Sequence, residues 1–259
     1  MKCVNVDEFR SSFYHVDPRI YGYTTAKFYG FGFDGDASTS ASSVDGVNFR
    51  FPPNPPFIDP LRYHLATCPG VGCDHNKLDC CSCTSVTHIV LDRVVEFAFV
   101  NRVASDSRFG SPHPIHMHGH SFYVVKVGYP SYDENGKFAG PNDDIECIVQ
   151  STKSSCSKFI TIESEVDGKK TVIQRLQWRK SHSQNVTIAE FNKNNAPIRK
   201  DTVIVPFGGY VVVRFISDNE GLWFLHCHIE PHQLQGMAAV ISELKPYILT
   251  TTDEEMYSL

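Results

Sequence analysis

The chain has 259 residues and a net charge of −5, from 24 Lys and Arg against 29 Asp and Glu. This balance lacks the basic footprint of a nucleic-acid binder, and no apolar run approaches the roughly 18 residues that a membrane-spanning helix needs. The length suffices for one large domain with a sizeable core or for two small domains, and all-β domains often use it as a single unit.

In chain order, residues 1–30 hold short aromatic runs such as "YGYTTAKFYGFGF" without helical spacing. The amino terminus has no apolar stretch of the signal-peptide kind. Residues 34–60 are rich in Asp, Ser, Gly and Pro, which is loop chemistry. A cysteine-rich loop follows over 68–83. From there the texture is that of strands, β-branched and aromatic: 87–100, 121–127, 201–206, 209–217, 221–227 and 236–244. The polar stretch 128–200 reads as a long insertion with short strands. Adjacent charges such as Asp143–Asp144 and Lys169–Lys170 read as solvated loop residues. A helical turn is expected only near His232–Gln235, and no repeat is present. The predicted fold is an all-β, antiparallel Greek-key sandwich or barrel with long loop insertions. Its expected divisions are a lead-in over 1–85, a core over 86–247 and a tail over 248–259.

Nine cysteines are present. Cys227 stands between two histidines. The other eight, with Cys68 to Cys83 closely grouped, suggest disulfides in an oxidising compartment, although eight cysteines allow 105 pairings. A zinc site with His75 is the competing reading of that group. The sequon Asn185-Val186-Thr187 agrees with secretion, so a secreted chain whose signal lies further upstream is expected.

Two segments carry the chemistry: "HPIHMHGHSF" from His113 and "HCHIEPHQLQGM" from His226. Two imidazoles (His113, His232), a thiolate (Cys227) and a thioether (Met237) are the ligand types of a blue copper centre, with methionine as the weak axial ligand. Zinc accepts the same nitrogen and sulfur donors but has little use for the thioether. Successive side chains of a strand point to opposite faces. If Cys227 faces one way, His226 and His228 face the other, and His116 and His118 share a face opposite Met117. One strand would then join a cysteine-bound ion to a second, histidine-lined site. The covalent path between them is on the order of 10 Å, from two side-chain lengths and one residue of rise. His120 is placed on the face of His118 as a supporting partner rather than a ligand. His15, His64, His75, His88 and His182 read as ordinary polar residues. Glu230 reads either as a solvated loop carboxylate or as a guide for substrate or proton.

These two motifs resemble the copper signatures in the last cupredoxin domain of multicopper oxidases, of which laccases and ascorbate oxidases are the nearest types. The run "DTVIVPFGGYVVVRFISDNEGLWFLHCHIE" is similar to that of laccase-type members, and the cysteine-rich loop to that of invertebrate laccase-like proteins. The resemblance implies a cupredoxin-like fold with copper as cofactor. It assigns His113, Cys227, His232 and Met237 to type 1 copper, His116 to type 2, and His118, His226 and His228 to the type 3 pair. Cys227, His226 and His228 are then the residues through which electrons pass to the site where O2 is reduced to water. The reductants implied are diphenols or related aromatics, or metal ions in ferroxidases. The family's trinuclear site takes eight histidines, four of them from an amino-terminal domain in histidine–x–histidine pairs. This sequence supplies only His116, His118, His226 and His228, so the chain is expected to be a last domain that works with upstream cupredoxin domains of the same or a companion chain. The competing readings are a stand-alone blue copper electron carrier and a catalytically silent copper or zinc binder.

Overall fold

The computed structural model describes residues 16–22, 25–34, 41–45, 47–54, 82–103, 110–148, 165–166, 169–170, 175–179 and 197–244. The 248–259 tail, the sequon at Asn185, His15, His64, His75, His182 and the cysteine loop up to residue 81 lie outside these residues. The described strands are β1 (Thr25–Asp34), β2 (Ala41–Val44), β3 (Asn48–Phe49), β4 (Ser82–Cys83), β5 (Val86–Val90), β6 (Val94–Asn101), β7 (His113–Met117) and β8 (Phe122–Gly128). Then come β9 (Ser131–Tyr132), β10 (Phe138–Gly140), β11 (Ile145–Ile148), β12 (Glu165–Val166), β13 (Lys169–Lys170), β14 (Arg175–Trp178) and β15 (Arg199–Lys200). The last four are β16 (Thr202–Val205), β17 (Tyr210–Ile216), β18 (Gly221–Cys227) and β19 (Ala238–Leu244). A single helical turn, α1 (Glu230–Leu234), links β18 to β19, close to the turn expected from the sequence. Among the described residues no helix is long and apolar enough to cross a membrane.

Two sheets face each other. The first runs β15-β8-β17-β6-β1-β2 and the second β16-β7-β18-β19-β5. Between them lie Phe31, Phe97, Phe99, Phe122, Val211, Val213 and Phe215 from the first sheet, and Ile115, Met117, Leu225, Cys227, Ala239 and Ile241 from the second. These positions recur at every second residue along their strands, as a strand with one face in the core requires. This is the all-β sandwich the sequence predicts. Its pairing is not purely antiparallel, however: β1 lies parallel to β6, and β5 parallel to β19. Between β1 and β6 the chain passes through β5 in the opposite sheet, and such a crossover, unlike a hairpin, delivers parallel neighbours. The residue-25 strand is thus hydrogen-bonded into the same sheet as the 94–101 strand.

Every residue of β6 is buried, because the first sheet is covered on its outer face as well. The insertion supplies part of that cover, with Ile145, Leu176 and Trp178 packed on Ala98, Val100, Tyr210 and Val212. Asp144 belongs to this layer and is not simply a solvated charge. It pairs with Lys126 at 2.9 Å and accepts a hydrogen bond from the buried Tyr210 hydroxyl. Elsewhere on this face Arg214 and Glu96 form a buried ion pair with Nε–Oε2 and Nη2–Oε2 both at 2.8 Å. Arg214 Nη1 also donates to the Ile20 carbonyl at 3.2 Å, which ties the 3-10 turn Pro18–Tyr21 to the sheet.

Candidate metal centre

Strand register places the two motifs side by side. On β7 and β18, Ile115 is opposite Cys227, His116 opposite His226, and Met117 opposite Leu225. Strand β7 alternates between buried and half-exposed residues, with His113, Ile115 and Met117 buried. His113 therefore shares the core side of the sheet with Cys227, while His116 and His226 share the outer side. The alternation expected from the sequence holds for these residues, and it sorts the ligand-type side chains into two groups.

The inner group is His113, Cys227 and His232. Cys227 Sγ lies 3.7 Å from His113 Nδ1 and 3.6 Å from His232 Nδ1, and the two imidazole rings are 5.1 Å apart. With bonds of zinc-site length, about 2.0 Å to nitrogen and about 2.3 Å to sulfur, a separation of about 3.7 Å subtends roughly 120° at a shared ion, as in a trigonal site. The donor set and its spacing fit a copper ion. Cys227 is a free thiol with no exposed surface, and Met237, on the strand side of the same loop, is also fully buried. The loop is tied by its own backbone: the Met237 N–H donates to the His232 carbonyl at 3.0 Å, and the Cys227 N–H to the Met237 carbonyl at 3.1 Å. Burial, reinforced by the neighbouring His232, lowers the His113 pKa to about 4, and burial lowers that of His232. Burial also pushes the Cys227 thiol up. The imidazoles are thus neutral and ready to ligate at neutral pH, and the thiol releases a proton when an ion binds.

The outer group is His116, His118 and His226. His118 Nε2 and His226 Nε2 are 3.2 Å apart, and the His116 ring is 4.8 Å from that of His118 and 5.5 Å from that of His226. Hydrogen bonds fix which nitrogen is presented. His116 Nδ1 donates to the Asp201 carbonyl and lies equally close, at 2.9 Å, to Thr202 Oγ1. His226 Nδ1 donates to the Cys227 carbonyl at 3.0 Å. In both rings Nε2 remains as the ligating atom. His228 stands beside the group, with ring centroids 5.7 Å from His116 and 5.6 Å from His226, but it is exposed and its nitrogens do not converge with the other three. Burial lowers the His226 pKa to about 4 and, joined by the charges of His116 and His228, lowers that of His118.

His120 departs from the expected face. Gly119 has φ +75, and a Cβ there would meet the Trp223 indole, so the strand alternation stops at His118. His120 turns inward instead, its ring 5.0 Å from Phe215, with Nε2 2.5 Å from Glu243 Oε1 in an orientation outside hydrogen-bond geometry. His88 is exposed, as expected. Glu230 is exposed at the start of α1. The sequence reading missed Asn101, which is buried and donates through Nδ2 to the carbonyls of Ser111 (2.9 Å) and Val205 (3.3 Å), bracing the entry to β7. A polar residue closing a mostly apolar strand was the available signal.

The multicopper oxidase family model matches residues 50–147 and 167–246. The chain belongs to the multicopper oxidase family. Among curated relatives, this multicopper oxidase chain is 24% identical over 214 residues to the L-ascorbate oxidase of Cucurbita pepo var. melopepo, covering 78% of this chain and 29% of that protein. It is 29% identical over 128 residues to Laccase-6 of Arabidopsis thaliana, covering 49% of this chain and 13% of that protein. The chain thus spans less than a third of the length of these relatives. Among solved structures it is similar in fold to Fet3p, described as a multicopper oxidase that functions in iron import. That match has a TM-score of 0.51 and 20% identity, covering 98% of this chain and 38% of that one. The cupredoxin-type sandwich expected from the sequence is the fold of this neighbour.

Proposed function

We propose that this chain is the terminal cupredoxin domain of a laccase-like multicopper oxidase. The observation that carries the reading is the approach of the Cys227 sulfur to the His113 and His232 nitrogens at 3.7 and 3.6 Å. His113, Cys227, His232 and Met237 would hold type 1 copper. His116 would serve type 2 copper, and His118, His226 and His228 the type 3 pair. Bound there, copper supplies one-electron oxidation of the reductant and the reduction of O2 to water.

The chain's own residues do the preparatory work. Burial lowers the pKa values of His113, His118, His226 and His232 and so favours their neutral, ligating form, and backbone carbonyls of residues 201 and 227 select the tautomers of His116 and His226. The Cys227–His226 and Cys227–His228 backbone links join the two groups covalently. The outer group is open to solvent at His118 and His228. We assign its missing ligands to upstream cupredoxin domains of the same or a companion chain. A stand-alone electron carrier would have no use for this second group. The proposed reductants are diphenols or related aromatics, and the cysteine usage and the sequon support a secreted protein.

The test is to load the chain with Cu(II) and record its visible and paramagnetic spectra. An intense thiolate-to-copper band is expected in the wild type and its complete loss in Cys227→Ser. A wild type without the band, or a variant that keeps it, overturns the type 1 assignment. Oxygen uptake with a diphenol by this chain alone would overturn the assignment of missing ligands to other domains.

A further inference from the structure

The loop that bears His232 and Met237 is gripped from outside by a segment remote in sequence. After α1, Gln235 and Gly236 turn the chain into β19. Asn48 Nδ2 donates to the Gln235 carbonyl, and the Phe49 N–H donates to the Gly236 carbonyl at 3.0 Å. Ser42 Oγ reaches Gln235 Oε1 at 3.3 Å. Asn48 is itself held on two sides. Its Nδ2 also donates to the Ser42 carbonyl at 2.9 Å, and its Oδ1 accepts from Ser82 Oγ at 3.2 Å. The contact explains the glycine: Gly236 has φ +108, and a Cβ there would collide with the Asn48 amide and stand 2.8 Å from the Phe49 nitrogen. On its inner side the same turn continues into the Met237-to-His232 and Cys227-to-Met237 hydrogen bonds. Residues 48 and 49 precede the portion matched by the family model, which begins at residue 50.

We propose that Asn48 is a positioning residue: it fixes the Gln235–Gly236 turn and, through it, the places of Met237 and His232. This rests on reading the inner group as a metal centre. Asn48 touches no ligand atom. It acts by satisfying a carbonyl two residues before Met237, which leaves the turn a single seat against β3. Without the amide the Gln235 carbonyl loses a partner, and the turn gains freedom at the point where the chain delivers the thioether.

The experiment uses the full chain with 13C-labelled methionine methyl groups, the Met237 signal being assigned by its loss in Met237→Leu. In the metal-free protein, Asn48→Ala and Asn48→Asp should both shift and broaden the Met237 methyl resonance while leaving that of Met117 in place. Asp keeps the side-chain size but has no hydrogen to donate, so it reports on the latch even if the alanine variant folds poorly. After Cu(II) loading, both variants should release copper to a chelator roughly ten-fold faster than wild type, the scale of losing a partner that orients a ligand. Asn142→Ala, which removes a comparable side-chain bond, to the Tyr129 carbonyl and not to the Gln235–Gly236 turn, should leave both readings unchanged. An unaltered Met237 resonance in both Asn48 variants overturns the proposal. A wild type that shows no thiolate-to-copper band instead removes the metal reading, and the metal-free resonance still decides the latch.

Discussion

The two histidine-bearing groups occupy opposite faces of the same pair of strands and differ in what closes them. His113 and Cys227 are enclosed by the sandwich core, with Ile115, Met117 and Leu225 also buried there, and the half-buried His232 closes the group from the loop. His116, His118 and His226 lie on the outer face, where His118 and the neighbouring His228 are exposed. Burial therefore acts differently on the two. In the inner group it shields His113 and Cys227 from water and keeps the His113 and His232 rings neutral beside the sulfur, an arrangement that favours a bound ion. In the outer group the positions of two rings depend on single carbonyls and one hydroxyl, and one side is left for other ligands. A site buried by its own domain can be complete within that domain. A site at the surface leaves room for ligands from elsewhere.

Removal of one outer ligand should separate the groups most clearly. His226→Ala is expected to weaken ion binding at the outer group by more than about 100-fold, because even an orienting partner costs about 10- to 100-fold. The thiolate-to-copper band of the inner group should persist, since His226 faces away from the Cys227 sulfur. Parallel titrations by absorption and calorimetry would read both, and joint loss of the two would dissolve the distinction. A smaller effect is expected from Thr202→Val, which leaves His116 only the Asp201 carbonyl as a partner. Affinity at the outer group should fall about ten-fold with the inner band untouched, and an unchanged affinity would show that the carbonyl alone orients the ring.

The mildest effect concerns pH. His113 and His226 drop from their ordinary 6.5 to about 4 on folding, burial being the first cause for each. Below pH 6.5 the unfolded chain therefore takes up protons that the folded chain refuses. The stability held at neutral pH is lost progressively as pH falls from 6.5 toward 4. Thermal unfolding of the metal-free chain should show Tm declining across that window, with a shallower decline in His113→Gln. A Tm independent of pH there would contradict the burial argument for both rings.

Much of the site was legible because strand alternation is a local rule. The segment His113–Met117 and the pair His226–Cys227 fix which side chains share a face once the segments are recognised as strands. The misplacement of His120 marks the limit of that rule: a glycine at positive φ with an indole against it ends the alternation, and the Trp223 contact is not local. The parallel partners β1–β6 and β5–β19 were likewise invisible, because residues of similar hydrophobicity pair either way and the route of the connection decides. Asp201, Thr202 and Asn48 carry no signal of their own, being ordinary polar residues until the fold sets them against His116 and the Gln235 carbonyl.

The sequence by itself determined the candidate ligand types, the strand periodicity and the faces taken by His113, His116, His226 and Cys227, because these follow from side-chain type and a two-residue repeat. Only the tertiary structure decided that His113 comes within 3.7 Å of Cys227, which ring nitrogens are left to ligate, and what holds the loop that ends in Met237. Those outcomes depend on register between strands and, for the most part, on contacts between residues remote in sequence, and no local pattern encodes them.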